Sequence, residues 1–299
     1  MPTQSHIHQR LAEVCAQSSS SLITKVVEQL KQQHYHAQFS AEFIQGCEAE
    51  TGLSPVQISL AMLPLAACYS LAPVSNFYVG AVAIGKSGRF YFGANQEFAH
   101  VAMSQVVHAE QSAIAHALMA GESEITDIVV NYTPCGHCRQ FMNELNSAAK
   151  LKIHLPHSQN NLLHSYLPDA FGPKDLNIQQ VLFDPQQHDN HATGDEVVQA
   201  AIQAANRSYA PYSQALSGVA LLLENGQIIC GQYAENAAFN PTLSPLQSAL
   251  NYHRLLGLAD IAVKRVVLAE KQAILSSKLM SEALVSSLFE SNLEYISLK

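Results

Sequence analysis

Three residues able to hold a divalent metal and one able to move a proton stand near one another in this 299-residue chain. Cys135 and Cys138 form a Cys-x-x-Cys in Pro134-Cys135-Gly136-His137-Cys138, and upstream His108 and Glu110 flank Ala109. Two thiolates from one Cys-x-x-Cys fill two corners of a zinc tetrahedron, and a histidine can fill a third. Three protein ligands leave the fourth corner for water, the arrangement of a catalytic metal. Glu110 would then carry protons between that water and a substrate. The same cysteine pair also fits a thiol oxidoreductase, with Cys135 as nucleophile and Cys138 as resolving thiol, or one half of a structural zinc site. A closed structural site wants a second Cys-x-x-Cys, which the chain lacks. A redox site wants a strand, the cysteines and a helix inside a thioredoxin-like unit, whereas here a hairpin and a helix come first.

The chemistry demands particular elements. His108 and Glu110 lie roughly 200° apart around a regular helix, so both face one point only from its first turn. The apolar spacing predicts such a helix over 110–121. A buried strand is predicted over 125–133, and residues 137–150 are strongly helix-forming. Two helix N-termini would direct partial positive charge at the thiolates and favour their ionisation. His137, inside the cysteine pair, would strain the loop as a ligand and is read as supporting the site from outside.

Farther out, Leu22, Ile23, Val26, Val27 and Leu30 repeat with the helical period, so residues 21–33 read as a helix in a lead-in without strand-like runs. Ser54 and Pro55 read as the N-cap and first residue of another helix. The chain then repeats itself. Residues 66–97 overlay 204–235 with ten of 32 positions identical, among them Pro73/Pro211, Gly80/Gly218, Gly88/Gly226 and Gly93/Gly231. Matched turn residues imply the same backbone path. Each copy reads helix, turn, strand, hairpin, strand, with Asn225-Gly226 a strong hairpin signal. "EQSAI" (110–114) matches "LQSAL" (246–250), and 262–270 supplies the second copy's later strand. The metal-site residues do not repeat: Ser244 stands for His108 and Leu246 for Glu110, and no Cys-x-x-Cys follows the later strand. Elsewhere in the repeat Ala215 stands opposite Phe77 and Tyr233 opposite Asn95, while Glu235 matches Glu97. The expected fold is α/β: a small helical segment (1–48), a catalytic unit (49–180) and a degenerate unit (190–299), each a mixed sheet flanked by helices. One Zn2+ per chain is expected, in the first unit.

Composition narrows the partners. Lys and Arg total 16 against 24 Asp and Glu, a formal charge of −8, with no basic run. A polynucleotide or anionic membrane partner is disfavoured and a small molecule favoured. No signal-like N-terminus and no clean span of about 20 apolar residues is present, so a cytoplasmic enzyme is expected. The four isolated cysteines read as buried small hydrophobes in a reducing compartment.

Six stretches, "SNFYVGA" (75–81), "GANQEF" (93–98), "HAEQSAI" (108–114), "TPCGHC" (133–138), "DAFGPKDL" (169–176) and "AENAAFNPT" (234–242), carry a resemblance to the long, homodimeric cytidine deaminases over nearly the whole chain. His-x-Glu followed by Pro-Cys-x-x-Cys is the signature of zinc deaminases as a class. The resemblance implies hydrolytic deamination of cytidine and 2′-deoxycytidine in pyrimidine salvage, with His108, Cys135 and Cys138 on zinc and Glu110 as proton carrier. It further implies Asn95 and Glu97 on the ribose 3′-hydroxyl, Phe77 against the pyrimidine, and Ala109 backbone near the base. Phe171 and Phe239 would line the pocket, Phe239 from across a homodimer. A cytosine nucleotide or polynucleotide is the competing substrate class. The Glu97 carboxylate at the sugar position speaks against it, because it would repel a phosphate.

Overall fold

The protein, a computed structural model, is described over residues 4–299. It opens with helices α1 (Gln4–Gln17) and α2 (Ser21–Gln32), a two-residue strand β1 (Gln38–Phe39), and helices α3 (Ala41–Thr51) and α4 (Pro55–Ala67). Ser54 caps α4 in a reciprocal box with Gln57, and Pro55 takes the first helical position as expected. The first unit continues as hairpin β2 (Gly80–Gly85) and β3 (Phe90–Ala94), α5 (Ala109–Met119), β4 (Ile125–Val130), α6 (Gly136–Met142), β5 (Lys152–Leu155), β6 (Ser158–Leu162) and the single turn α7 (Leu163–Tyr166). The second has α8 (Glu196–Asn206), hairpin β7 (Ser217–Leu223) and β8 (Ile228–Gln232), α9 (Pro245–Leu255), β9 (Val263–Lys271), α10 (Lys278–Leu288) and β10 (Leu293–Leu298).

Two mixed sheets result, ordered β1-β3-β2-β4-β5-β6 and β10-β9-β7-β8. β4/β5 and β9/β10 are parallel, and the other pairs are antiparallel. The lead-in is not purely helical: Gln38 and Phe39 pair with Tyr91 and Phe90 at the edge of the first sheet. Two residues are too few to show a strand period, so the sequence held no signal for them. Side chains of α1 to α4 form a core with Val82, Ile84, Phe90 and Phe92 on one sheet face. α5 covers the other, which is why β2 is buried along its whole length.

The repeated small residues mark places where helix and strand nearly touch. A Cβ on Gly93 would lie 2.2 Å from the backbone nitrogen of Ala113, and one on Gly231 2.2 Å from that of Ala249. Gly80 meets α4 and Gly218 meets α8 in the same way. α5 and α9, which carry the matched Gln-Ser-Ala, pack against one another and join both units in one core.

That junction buries ionisable groups. His116 on α5 is enclosed by the rings of His36, Tyr91 and Tyr252, with Nδ1 2.9 Å from the Phe92 carbonyl. Burial, with help from the His36 charge, pushes its pKa down to about 3, and burial holds His253 at about 4. Both are neutral when folded, whereas an unfolded histidine titrates at about 6.5. The unfolded chain therefore binds protons first as pH falls, and stability present above about pH 6.5 is lost toward pH 4 at about 1.4 kcal/mol per pH unit for each ring. Urea midpoints should fall steeply between pH 7 and 5, and His116→Gln should flatten that slope. An unchanged slope would show that His116 does not titrate on unfolding.

Candidate active site

His108 and Cys135 occupy the N-caps of α5 and α6 in extended backbone conformations, and neither side chain makes a capping bond. An N-cap is ordinarily a Ser, Thr, Asp or Asn that satisfies the first free N–H groups. Ser244, the counterpart of His108, does this at α9. In the first unit the two cap side chains turn toward each other instead. His108 Nδ1 lies 3.4 Å from Cys135 Sγ, the two sulfurs are 3.7 Å apart, and all three donor atoms fall within 4.8 Å of one another. Zinc–sulfur and zinc–nitrogen bonds of about 2.3 and 2.0 Å give tetrahedral edges of about 3.8 Å between sulfurs and about 3.5 Å between sulfur and nitrogen. The donor set fits zinc in both chemistry and spacing. Ligands at two helix N-termini, far apart in sequence, are brought together because β4 feeds α6 beside α5.

Glu110 is almost wholly buried, and its Oε2 accepts from Cys138 Sγ at 3.2 Å. Burial raises its pKa, so it is poised to hold a proton. The hydrogen bond with Cys138, aided by His108, draws Cys135 down to about 3, while Cys138 retains its proton through that same bond. The bond to Cys135 raises His108. The ring of His137 stacks on that of His108, centroids 4.6 Å apart and planes at 21°, so it supports the site without entering it.

His108, Glu110 and Cys135 line a cavity of ≈ 690 Å³ together with Phe77, Asn95, Glu97, Ala109 and Tyr132. Its size suits a small organic molecule. Phe77 and Tyr132 form an aromatic wall, with centroids 4.6 Å apart. Asn95 and Glu97 also hold that wall in place. Asn95 Nδ2 donates to Phe77 O and its Oδ1 accepts from Val79 N, both at 2.9 Å. Glu97 accepts from Val74 N, Ser75 N and Ser75 Oγ. Glu235 makes the same clasp with Tyr212 N, Ser213 N and Ser213 Oγ, so the retention of this glutamate in both copies has a turn-building cause.

Phe171 and Phe239 lie outside this cavity within the chain. The Phe171 carbonyl is anchored by Gln140 and Asn143 of the α6 region, and its ring is exposed. Phe239 stands on the second unit with φ +63° and 67 % exposure, beside a smaller cavity of ≈ 280 Å³ where Ala215, Tyr233 and Ser244 replace Phe77, Asn95 and His108. Sequence reasoning missed Tyr132 and the lining residues His100, Val101 and Met103. Tyr132 is legible after the fact as an aromatic leading into Pro-Cys-x-x-Cys. The 100–103 segment has no periodic pattern to reveal it.

Two family models, each described as the cytidine and deoxycytidylate deaminase zinc-binding region, match residues 56–154 and 163–282. A cytidine deaminase of Actinobacillus pleuropneumoniae is 61% identical over 296 residues, covering 99% of both chains. One of Haemophilus ducreyi is 60% identical over 296 residues, again 99% of both. Among solved structures, a cytidine deaminase from Burkholderia pseudomallei matches 38% of this chain and 96% of its own at 31% identity, with a TM-score of 0.34.

Proposed function

The chain belongs to the cytidine and deoxycytidylate deaminase family, and from that premise we propose that it deaminates cytidine and 2′-deoxycytidine hydrolytically. The observation that carries this reading is the His108–Cys135–Cys138 donor triangle with the Glu110 carboxylate against it, presented by His108, Cys135 and Glu110 to a cavity with room for a nucleoside. Water adds at pyrimidine C4, the C4–N bond breaks, and uridine or deoxyuridine and ammonia leave. Zinc, when bound by His108, Cys135 and Cys138, supplies the lowered water pKa that makes attack possible at neutral pH. Glu110 takes the water's first proton and gives it to the ring nitrogen, then takes the proton of the new C4 hydroxyl and delivers it to the departing amine as the C4 carbonyl forms. Phe77 and Tyr132 receive the faces of the base. An ionised carboxylate has about four acceptor sites, of which Glu97 commits three to the turn. Asn95 likewise keeps one N–H and one lone pair of its amide. Together these remaining sites match a ribose hydroxyl, which both donates and accepts.

The catalytic unit spans 49–180 and the degenerate unit 190–299, with one zinc in the first, in a cytoplasmic enzyme of pyrimidine salvage. Among the described residues no helix is long and apolar enough to cross a membrane. The enzyme is a homodimer in which Phe239 closes the partner's site, with Phe171 at the pocket rim. What supports this is an exposed aromatic ring on a left-handed backbone, which a bulky residue rarely adopts without a use for it. Its loop is pinned by bonds from Ala237 N to Glu144 and from Asn236 Nδ2 to Gln140 O.

Ultraviolet-monitored conversion of cytidine tests the activity, and mixed dimers test the arrangement. A dimer of one Glu110→Ala chain and one Phe239→Ala chain should keep one site of wild-type KM. A dimer of a wild-type chain with a chain carrying both substitutions should keep none. The reverse pattern would place Phe239 in its own chain's site. A zinc-loaded protein that leaves cytidine untouched would overturn the substrate.

A further inference from the structure

We infer that the second unit holds the metal ligand His108 in place from within the same chain, through Gln247 and its counterpart Gln111. The two glutamines occupy equivalent positions of α9 and α5, are almost wholly buried, and reach across the boundary between the units in opposite directions. Gln247 Nε2 donates to Gln105 O at 2.8 Å and lies 3.4 Å from Val106 O, gripping the backbone just before His108. Gln111 Nε2 donates to Pro241 O, also at 2.8 Å. Gln105 and Pro241 are themselves equivalent, so the grip is reciprocal.

The two glutamines differ in what their oxygens do. Gln247 Oε1 accepts from Ser244 N and completes the capping box of α9. Gln111 Oε1 takes a different partner. It lies 3.4 Å from His137 Nε2, and the His137 ring stacks on His108. The backbone leading into His108 is thus held by Gln247, and the His108 ring is backed by His137, which Gln111 ties to the second unit. The degenerate copy lost the ligands but kept the Gln-Ser-Ala that makes this grip possible. Gln247 is therefore a positioning residue. The inference rests on His108 being a zinc ligand.

The test separates the grip from the cap. Gln247→Met keeps the volume and loses both. Gln247→Glu keeps an acceptor for Ser244 N but turns a second oxygen on the 105–106 carbonyls. Ser244→Ala loses the other half of the capping box and leaves the grip intact. Zinc-loaded full-length proteins are mixed with excess chromogenic chelator, and the rate of zinc release is read beside the unfolding temperature. Both Gln247 variants should release zinc about tenfold faster or more, the scale on which outer-sphere partners of a ligand act, with kcat for cytidine reduced and KM held. Ser244→Ala should release zinc at the wild-type rate even where its unfolding temperature drops. Wild-type release from both Gln247 variants, or equal acceleration in Ser244→Ala, overturns the inference. Wild-type protein that takes up no zinc would refute the metal reading itself, before any variant is compared.

Discussion

Glu110→Gln should lower kcat for cytidine by about 10⁴-fold, the upper range for loss of a positioned acid–base, while zinc content stays at one per chain and KM changes little. The amide has the carboxylate's shape and fills the same place 3.2 Å from Cys138 Sγ. It cannot carry a proton from the attacking water to the ring nitrogen, nor deliver one to the leaving amine. Because one group serves both transfers, its loss reaches the bond-making and bond-breaking halves of the reaction together. Cys135 and His108 do not touch the substituted atom's proton, so metal uptake reports separately on the site's integrity. A Glu110→Gln enzyme retaining more than about a hundredth of wild-type kcat, outside the range expected of such a group, would show that the proton travels by another route.

The parts of this site that were legible are those written in short spacings. His108-Ala109-Glu110 and Cys135 to Cys138 each lie within one turn; helix geometry requires the first pair to sit at a helix start, and the ionisation of thiolates favours a helix start for the second. Both sit there, led by N-caps that do no capping. The duplication was legible because glycines and prolines mark the backbone path whatever the side chains around them do. What could not be read is set by contacts distant in sequence. The helix-forming stretch over 137–150 stops at Met142, because Asn143 and Glu144 are claimed from outside. Asn143 holds the Phe171 carbonyl, and Glu144 accepts from Tyr209, Tyr212 and Ala237 N of the second unit. These bonds outweigh the few tenths of a kcal/mol per residue that propensity offers. The turn-building bonds of Asn95 and Glu97 were hidden for the same reason: a residue type does not say whether its oxygen faces a substrate or its own chain.

Gly93→Ala should cost about 3 kcal/mol or more of stability, at or beyond the upper end for overpacking a well-filled core. The added methyl would stand 2.2 Å from Ala113 N and 2.4 Å from Ala109 O, and backbone cannot swing aside as a side-chain tip can. Either β3 or α5 must move. α5 begins at Ala109, so its displacement carries His108 and Glu110 away from Cys135 and Cys138. Gly231→Ala makes the same collision with Ala249 N and Pro245 O in the second unit, where no metal ligand stands. Chemical denaturation should therefore find the two variants comparably destabilised. At a temperature where both remain folded, zinc release should be faster in Gly93→Ala than in Gly231→Ala, since only the first shifts a ligand-bearing helix directly. Equal stability of Gly93→Ala and wild type would mean that the helix is not pressed against the sheet at this point, and the shared glycine would need another explanation.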